Sequence, residues 1–279
     1  MCFYIGGVLN LLVIFLPLWC FIFKRNPVGW LVQQLSAHTA YVYLLVYWCV
    51  LVCAALYAVW WFSIQDDDDA VSDKGELPVT IARKTFHALA IMIYMPSLYY
   101  QTFTVFASCV TIVLFLIFEL VRIFRIAPFG TSIDKLLQPL LDDHDSGKLI
   151  TTHIYLLVGM SLPVGLYSTG RSLANTISEL AIYSGVISIG VGDSCASVFG
   201  KIYGGASLLG SRKTWFGTFC CFGFQFAFVL VLVFVFGISC GFWDIVGCCF
   251  ACLVVALLEG VSEQIDNIVL PLYMYVLLR

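Results

Sequence analysis

The chain has 279 residues, of which 61% are hydrophobic and 11% charged, against about 25% charged in an average soluble domain. Long apolar runs therefore make it an all-α, polytopic helical membrane protein of about nine transmembrane segments, and the lack of ten-residue alternating segments excludes a transmembrane β-barrel. The formal net charge of −3 gives no reason to expect a nucleic-acid partner, and the twelve cysteines fall mostly inside apolar runs, where they read as small hydrophobes rather than a disulfide framework.

The first apolar run, Cys2 to Phe23, has no basic residue before it and no small-residue cleavage site. A retained span is expected there rather than a cleaved signal. Lys24-Arg25-Asn26-Pro27 ends it, and a second span runs from about Ala40 to Phe62. Gln65 to Thr80 reads as an acidic loop carrying Asp66 to Asp69, either solvated and self-repelling or able to bind cations. Arg83-Lys84-Thr85-Phe86-His87 opens a third span to about Tyr100. Arg83 and His87 would share a helical face, as an interfacial anchor or as a phosphate site.

A fourth span runs from Thr102 to Val121, with Glu119 placed to pair with Arg122. Arg122 to Thr152 is the longest polar connection. It holds Asp142-Asp143-His144-Asp145, a solvated acidic loop or one suited to Mg²⁺, which uses one or two carboxylates plus substrate phosphates. The fifth span covers His153 to Tyr167, with a kink expected at Pro163. The sixth runs from Glu179 to about Gly200, the seventh from Trp215 to Phe236 and the eighth from about Ile245 to Leu258. A polar turn, Glu259 to Asn267, precedes Ile268 to Leu278, a short ninth span or a re-entrant segment.

Nine spans put the loops 63–83, 122–152, 201–214 and 259–267 on one side. With Lys84 at the boundary, that side carries ten Lys and Arg residues against four (Lys24, Arg25, Arg171, Arg279) on the other. The positive-inside rule makes the richer side cytoplasmic, and every chemically suggestive cluster lies on it. Asp193 stands out within the sixth span. A carboxylate at a helix centre costs about 2.5–3.5 kcal/mol on insertion scales, which makes it a functional-site hypothesis. Asp193, Ala196, Ser197, Gly200 and Gly204 fall on one helical face; a small-residue helix seam accounts for the glycines and serine but not for the carboxylate. Gly200-Lys201 fails as a phosphate-binding P-loop, because Cys195 stands where its first glycine belongs and Ile202 where its Ser or Thr belongs.

Three motifs, Gly192-Asp193-x-x-Ala196-Ser197-x-x-Gly200, Gly210-x-x-Lys213-Thr214-x-x-Gly217-Thr218 and Arg83-Lys84-x-x-His87, resemble those of the CTP-dependent polyprenol kinase family. Leu141-Asp142-x-x-Asp145-Ser146-Gly147, Thr152 to Leu157, Gly159 to Pro163 and Leu258-Glu259 through Leu272 resemble the dolichol kinase branch in particular. The resemblance covers residues 80–279. It divides the chain into N-terminal spans with the acidic loop (1–80) and a kinase-like membrane catalytic domain (81–279). Two positions depart from the branch: Phe216 stands where a Glu is usual, and His144 where an Arg is usual. Family members also commonly carry a further N-terminal half of membrane spans.

The resemblance implies transfer of the γ-phosphate of CTP to dolichol at the cytoplasmic face of the endoplasmic reticulum membrane, giving dolichyl phosphate for protein glycosylation. It points to Asp193, Lys213, Arg83, Lys84 and His87, with Asp142 and Asp145, as catalytic candidates. Gly192, Ser197, Gly200, Gly204, Gly210, Arg212, Thr214 and Gly217 are candidates for holding CTP, and Asp193, Asp266 and Glu259 for holding Mg²⁺. His87, Asp142 and Asp145 all stand as possible bases. Other lipid alcohols (phytol, diacylglycerol), cytidylyl transfer, and a transporter with Asp193 as its ion site remain the alternatives, although no internal hydropathy repeat supports the last.

Overall fold

The computed structural model describes residues 38–68, 76–127, 150–173, 179–208, 213–262 and 266–279, with isolated positions between 29 and 36 and between 129 and 133; at 59–68, 76–83 and 171–173 the description is of backbone alone. These residues form helices: α1 (Thr39–Asp68), α2 (Glu76–Ser97), α3 (Gln101–Ile123), α4 (Thr152–Leu173), α5 (Ser194–Tyr203), α6 (Trp215–Phe236), α7 (Phe242–Val261) and α8 (Asp266–Leu278). A 3₁₀ turn, Glu179–Tyr183, and a π-helix, Val186–Asp193, lead into α5. Among the described residues there is no strand, only one antiparallel bridge between Ser207 and Thr214.

The helical class matches the composition. Four stretches are long and apolar enough to cross a membrane: Thr39–Ala58, Lys84–Ile123, Trp215–Phe236 and Phe242–Val261. The count of nine is not reproduced by that criterion, and Cys2–Phe23 lies outside the described residues. The expected loop from Gln65 to Thr80 is shorter than its composition implies, since helix continues to Asp68 and resumes at Glu76.

Irregular backbone in an apolar medium must find internal partners. Pro96 has no N–H to give the carbonyl of Met92. Tyr47 of α1 supplies that bond instead, its hydroxyl donating to Met92 O at 3.0 Å, and Trp48 Nε1 donates to Ile93 O at 3.3 Å. Just beyond, Ser97 donates to Tyr94 O, and Thr104 to Ser97 O and Tyr100 O, closing the sharp 3₁₀ turn at Leu98–Tyr100. Where α3 ends, buried Glu119 accepts two bonds from Arg122 and one from the Ile150 backbone at 2.5 Å. It thereby ties the departing chain to its return at α4.

The core lies where α4, α6, α7, α8 and the π-helix meet, around Met160, Val164, Tyr167, Ile187, Leu232, Val255 and Met274. Cys220, Cys221, Cys248 and Cys252 are free and buried there or beside it, as small hydrophobes should be. Helices α6 and α7 keep large apolar side chains such as Phe219, Phe234 and Phe250 on their outer faces, the pattern lipid contact requires. The first half of α2, the end of the π-helix, the start of α6, the end of α7 and the start of α8 converge on one side of the bundle.

Candidate active site

Asp193 is the last residue of the π-helix and is 5% exposed. A π-helix is rare, and short ones cluster at functional sites. Here Ser188 and Ser184 hydroxyls donate back to the carbonyls of Ser184 and Ala181, both at 2.6 Å, satisfying carbonyls locally. Lys84 and His87 lie three apart on α2 and so share a face. Lys84 Nζ stands 2.5 Å from Asp193 Oδ2, and His87 Nε2 3.2 Å from the same oxygen. Ser197, one turn along α5, donates to Asp193 Oδ1 at 3.3 Å.

A second charged cluster faces the first. Lys213 Nζ donates to the carbonyl of Glu259 and to its Oε1, each at 2.7 Å, and lies 3.5 Å from Asp266 Oδ2. Burial by itself would lower the Lys213 pKa, but the carboxylates of Glu259, Asp193 and Asp266 outweigh it and hold the ammonium above the ordinary lysine value. Both clusters line one cavity.

The loop between α5 and α6 aims Lys213. Helix α5 ends at Tyr203, and Gly204 and Gly205 take φ values of +60° and +111°, which side chains other than glycine rarely adopt. Leu208 N then bonds Lys213 O, and Trp215 N bonds Ala206 O. Thr214 caps α6, its Oγ1 accepting from Gly217 N at 3.1 Å. Gly200 and Gly217 face each other where α5 crosses α6; a Cβ on Gly217 would come within 2.9 Å of Ala196 O.

These walls enclose a cavity of about 270 Å³. Among the residues singled out in the sequence, Lys84, His87, Asp193, Ser197, Gly200, Lys213, Thr214, Gly217, Glu259 and Asp266 line it. Gly204 lies on the loop with no atom near a Cβ built there, and Gly192 packs against the side chain of Gln225 instead of the cavity. Of Arg83 only the backbone is described; Asp142, Asp145, Gly210 and Arg212 lie outside the described residues. Phe216 lies off the cavity, exposed, with its ring 5.1 Å from that of Tyr203.

Ala196, Lys201, Thr218 and Asn267 also line the cavity; each falls inside a motif or turn read in the sequence, but none is assigned a role there. Lys201 has a readable signal, because 193, 197 and 201 repeat every four residues along one face. Thr218 and Asn267 adjoin residues already singled out, but a neutral side chain beside a charge gives no sequence signal of its own.

The donor chemistry fits Mg²⁺ in one form. Oxygen ligands suit it, and it is commonly held by one or two carboxylates together with substrate phosphates. Among the described residues no three His, Cys, Asp or Glu side chains gather closely enough to hold a metal by themselves. Asp193, or the pair Glu259 and Asp266, would hold the ion only jointly with a phosphate.

A family model described as dolichol kinase matches residues 1–194. The chain is 39% identical over 262 residues to the dolichol kinase of Bos taurus, covering 91% of this chain and 48% of the relative. It is 38% identical over 262 residues to that of Homo sapiens, with the same coverage. It is 29% identical over 260 residues to that of Schizosaccharomyces pombe, covering 91% and 50%. The chain thus spans about half the length of the curated relatives it matches. No solved structure matches it.

Proposed function

The chain belongs to the dolichol kinase family, and from that membership we propose that it transfers the γ-phosphate of CTP to the hydroxyl of dolichol, giving dolichyl phosphate at the cytoplasmic face of the endoplasmic reticulum membrane. The observation that carries this reading is a cavity with a lysine–carboxylate cluster on either side: Lys84 with Asp193, and Lys213 with Glu259 and Asp266. Phosphoryl transfer asks mainly for positioning and for neutralised charge. The half-buried ammonium groups of Lys84 and Lys213, with Lys201, would supply positive charge for a triphosphate. Gly200 and Gly217 let α5 and α6 cross closely at the cavity wall, which sets Thr214 and the Lys213 loop beside Asp193.

His87 stands in the wall with Asp193 orienting its imidazole. In this reading the alcohol oxygen forms a bond to the γ-phosphorus, and the bond from that phosphorus to the bridging oxygen of CDP breaks. CDP leaves, and His87 receives the alcohol proton. Asp142 and Asp145 remain the other candidates for that proton. Mg²⁺ or a similar cation, when bound, would supply neutralisation of the terminal phosphates; Asp193, Asp266 and Glu259 are the residues that would hold it. The isoprenoid tail, being apolar, would extend between helices into the bilayer.

The test is a proteoliposome assay of the chain with dolichol and CTP labelled either in the γ- or in the α-phosphate. Label entering the lipid from γ-labelled CTP, with release of CDP, is the expected outcome. Lipid labelled from the α-phosphate would mean cytidylyl transfer, and no labelling at all would remove the kinase reading.

A further inference from the structure

Besides His87 Nε2, which faces Asp193 Oδ2 at 3.2 Å, two cavity-lining side chains carry buried polar atoms with no hydrogen-bond partner among the described residues: Thr218 Oγ1 and Asn267 Oδ1. Buried polar groups are nearly always satisfied, so each such atom asks for a reason. Thr218 is 6% exposed. Its hydroxyl lies against the backbone of Gly260, where a Cβ would come within 2.5 Å, and so it is held on that side by shape alone. Thr218 sits one turn further into α6 than the cap Thr214, away from the loop that carries Lys213. Asn267 follows Asp266 in the first turn of α8.

Lys84 is paired with Asp193 and Lys213 with Glu259 and Asp266, whereas these two atoms are neutral. A phosphate oxygen only accepts hydrogen bonds, so it cannot satisfy an amide oxygen such as Asn267 Oδ1. A hydroxyl both donates and accepts. Resting on the kinase reading above, we infer that Thr218 and Asn267 bind the hydroxyl of the acceptor alcohol: Thr218 O–H donates to the alcohol oxygen, and the alcohol hydrogen is donated to Asn267 Oδ1. Rotation about the alcohol C–O bond then redirects that hydrogen to His87 as the oxygen closes on phosphorus. A ribose hydroxyl has the same chemistry. The turn-deeper position of Thr218, within an apolar helix, favours the lipid alcohol.

The experiment uses the chain in proteoliposomes, with KM measured for dolichol and Kd measured separately for CTP with Mg²⁺. Thr218→Val keeps the shape and removes the hydroxyl; Asn267→Leu removes the acceptor. Each is expected to raise the KM for dolichol by about tenfold, the effect of one lost hydrogen bond that leaves a buried partner unmatched. The Kd for CTP stays within about twofold, and Thr218→Ser restores the dolichol KM. Unchanged KM for dolichol in Asn267→Leu overturns the assignment, and so does a CTP Kd that weakens as much as the dolichol KM, which would give the site to ribose. A parent chain that transfers no phosphate from CTP to dolichol removes the kinase reading and this assignment with it. A parent chain that transfers phosphate while the variants keep its KM removes the assignment alone.

Discussion

Asp193 gathers Lys84, His87 and Ser197 on its two oxygens, so a change there acts on several partners at once. Asp193→Asn keeps the shape and removes the charge, and is expected to abolish CTP-dependent phosphorylation of dolichol while the protein still accumulates in membranes. Immunoblotting beside the labelled-lipid assay separates loss of activity from loss of protein; full activity in the variant would end the role given to this carboxylate. Lys213 permits a prediction with a sign. Its folded pKa is raised, so the stability its ion pairs contribute is complete below the ordinary lysine value of about 10.4 and is lost only as pH climbs through the raised one. The difference in melting temperature between the parent chain and Lys213→Met should therefore be flat from about pH 7 to about pH 9. A difference that collapses within that window would show a lysine that titrates early. Asp193 is legible in the sequence alone, because a carboxylate inside an apolar run has a cost that demands a reason. Thr218 and Asn267 are not, because their significance is a missing partner, which only three-dimensional contact defines.

At the scale of elements, hydropathy places the seventh span at Trp215 to Phe236, and the helix there has those bounds, since Thr214 caps it and Gly237, at φ +67°, ends it. The sixth span reads as one continuous apolar run. It is built from a 3₁₀ turn, a π-helix and an α-helix, because apolar periodicity does not distinguish a helix of 3.6 residues per turn from a locally wider one over eight residues. The π-helix leaves Gly192 tight against Gln225, so that a Cβ there would overlap the Gln225 amide. Gly192→Ala is expected to destabilise by about 1–3 kcal/mol, the usual cost of overpacking. Gln225→Ala in the same chain should return part of that loss, a coupling of neighbours that a double-mutant cycle in detergent measures. Strictly additive effects would show that the strain lies elsewhere. Gly159→Ala should be harsher, since its Cβ would overlap the backbone carbonyl of Asn267. Backbone cannot rotate out of the way as a side chain does, so α4 and α8 must separate; accelerated proteolysis near α8 would report it.

For the whole molecule, nine alternating spans predict that Lys84, the 201–214 loop and the 259–267 turn share one side; that count is not reproduced, but Lys84, Lys213, Glu259 and Asp266 do line one cavity. Packing of α2, α6, α7 and α8 around the π-helix brings them together, which no count of spans supplies. The proposed function, with the cavity open to the cytoplasm, predicts that sealed microsomes phosphorylate dolichol from added CTP without permeabilisation. Activity appearing only after detergent treatment would reverse the orientation. The amide that Pro96 lacks has a further consequence for how the molecule is observed. Met92 O bonds a phenol of α1 at 3.0 Å where a helix would offer an amide, so its carbonyl stretch should be shifted from the helical band. An isotope label on that one carbonyl would make infrared spectroscopy a direct read-out of whether α1 is seated on the bundle, with Tyr47→Phe as the unseated reference.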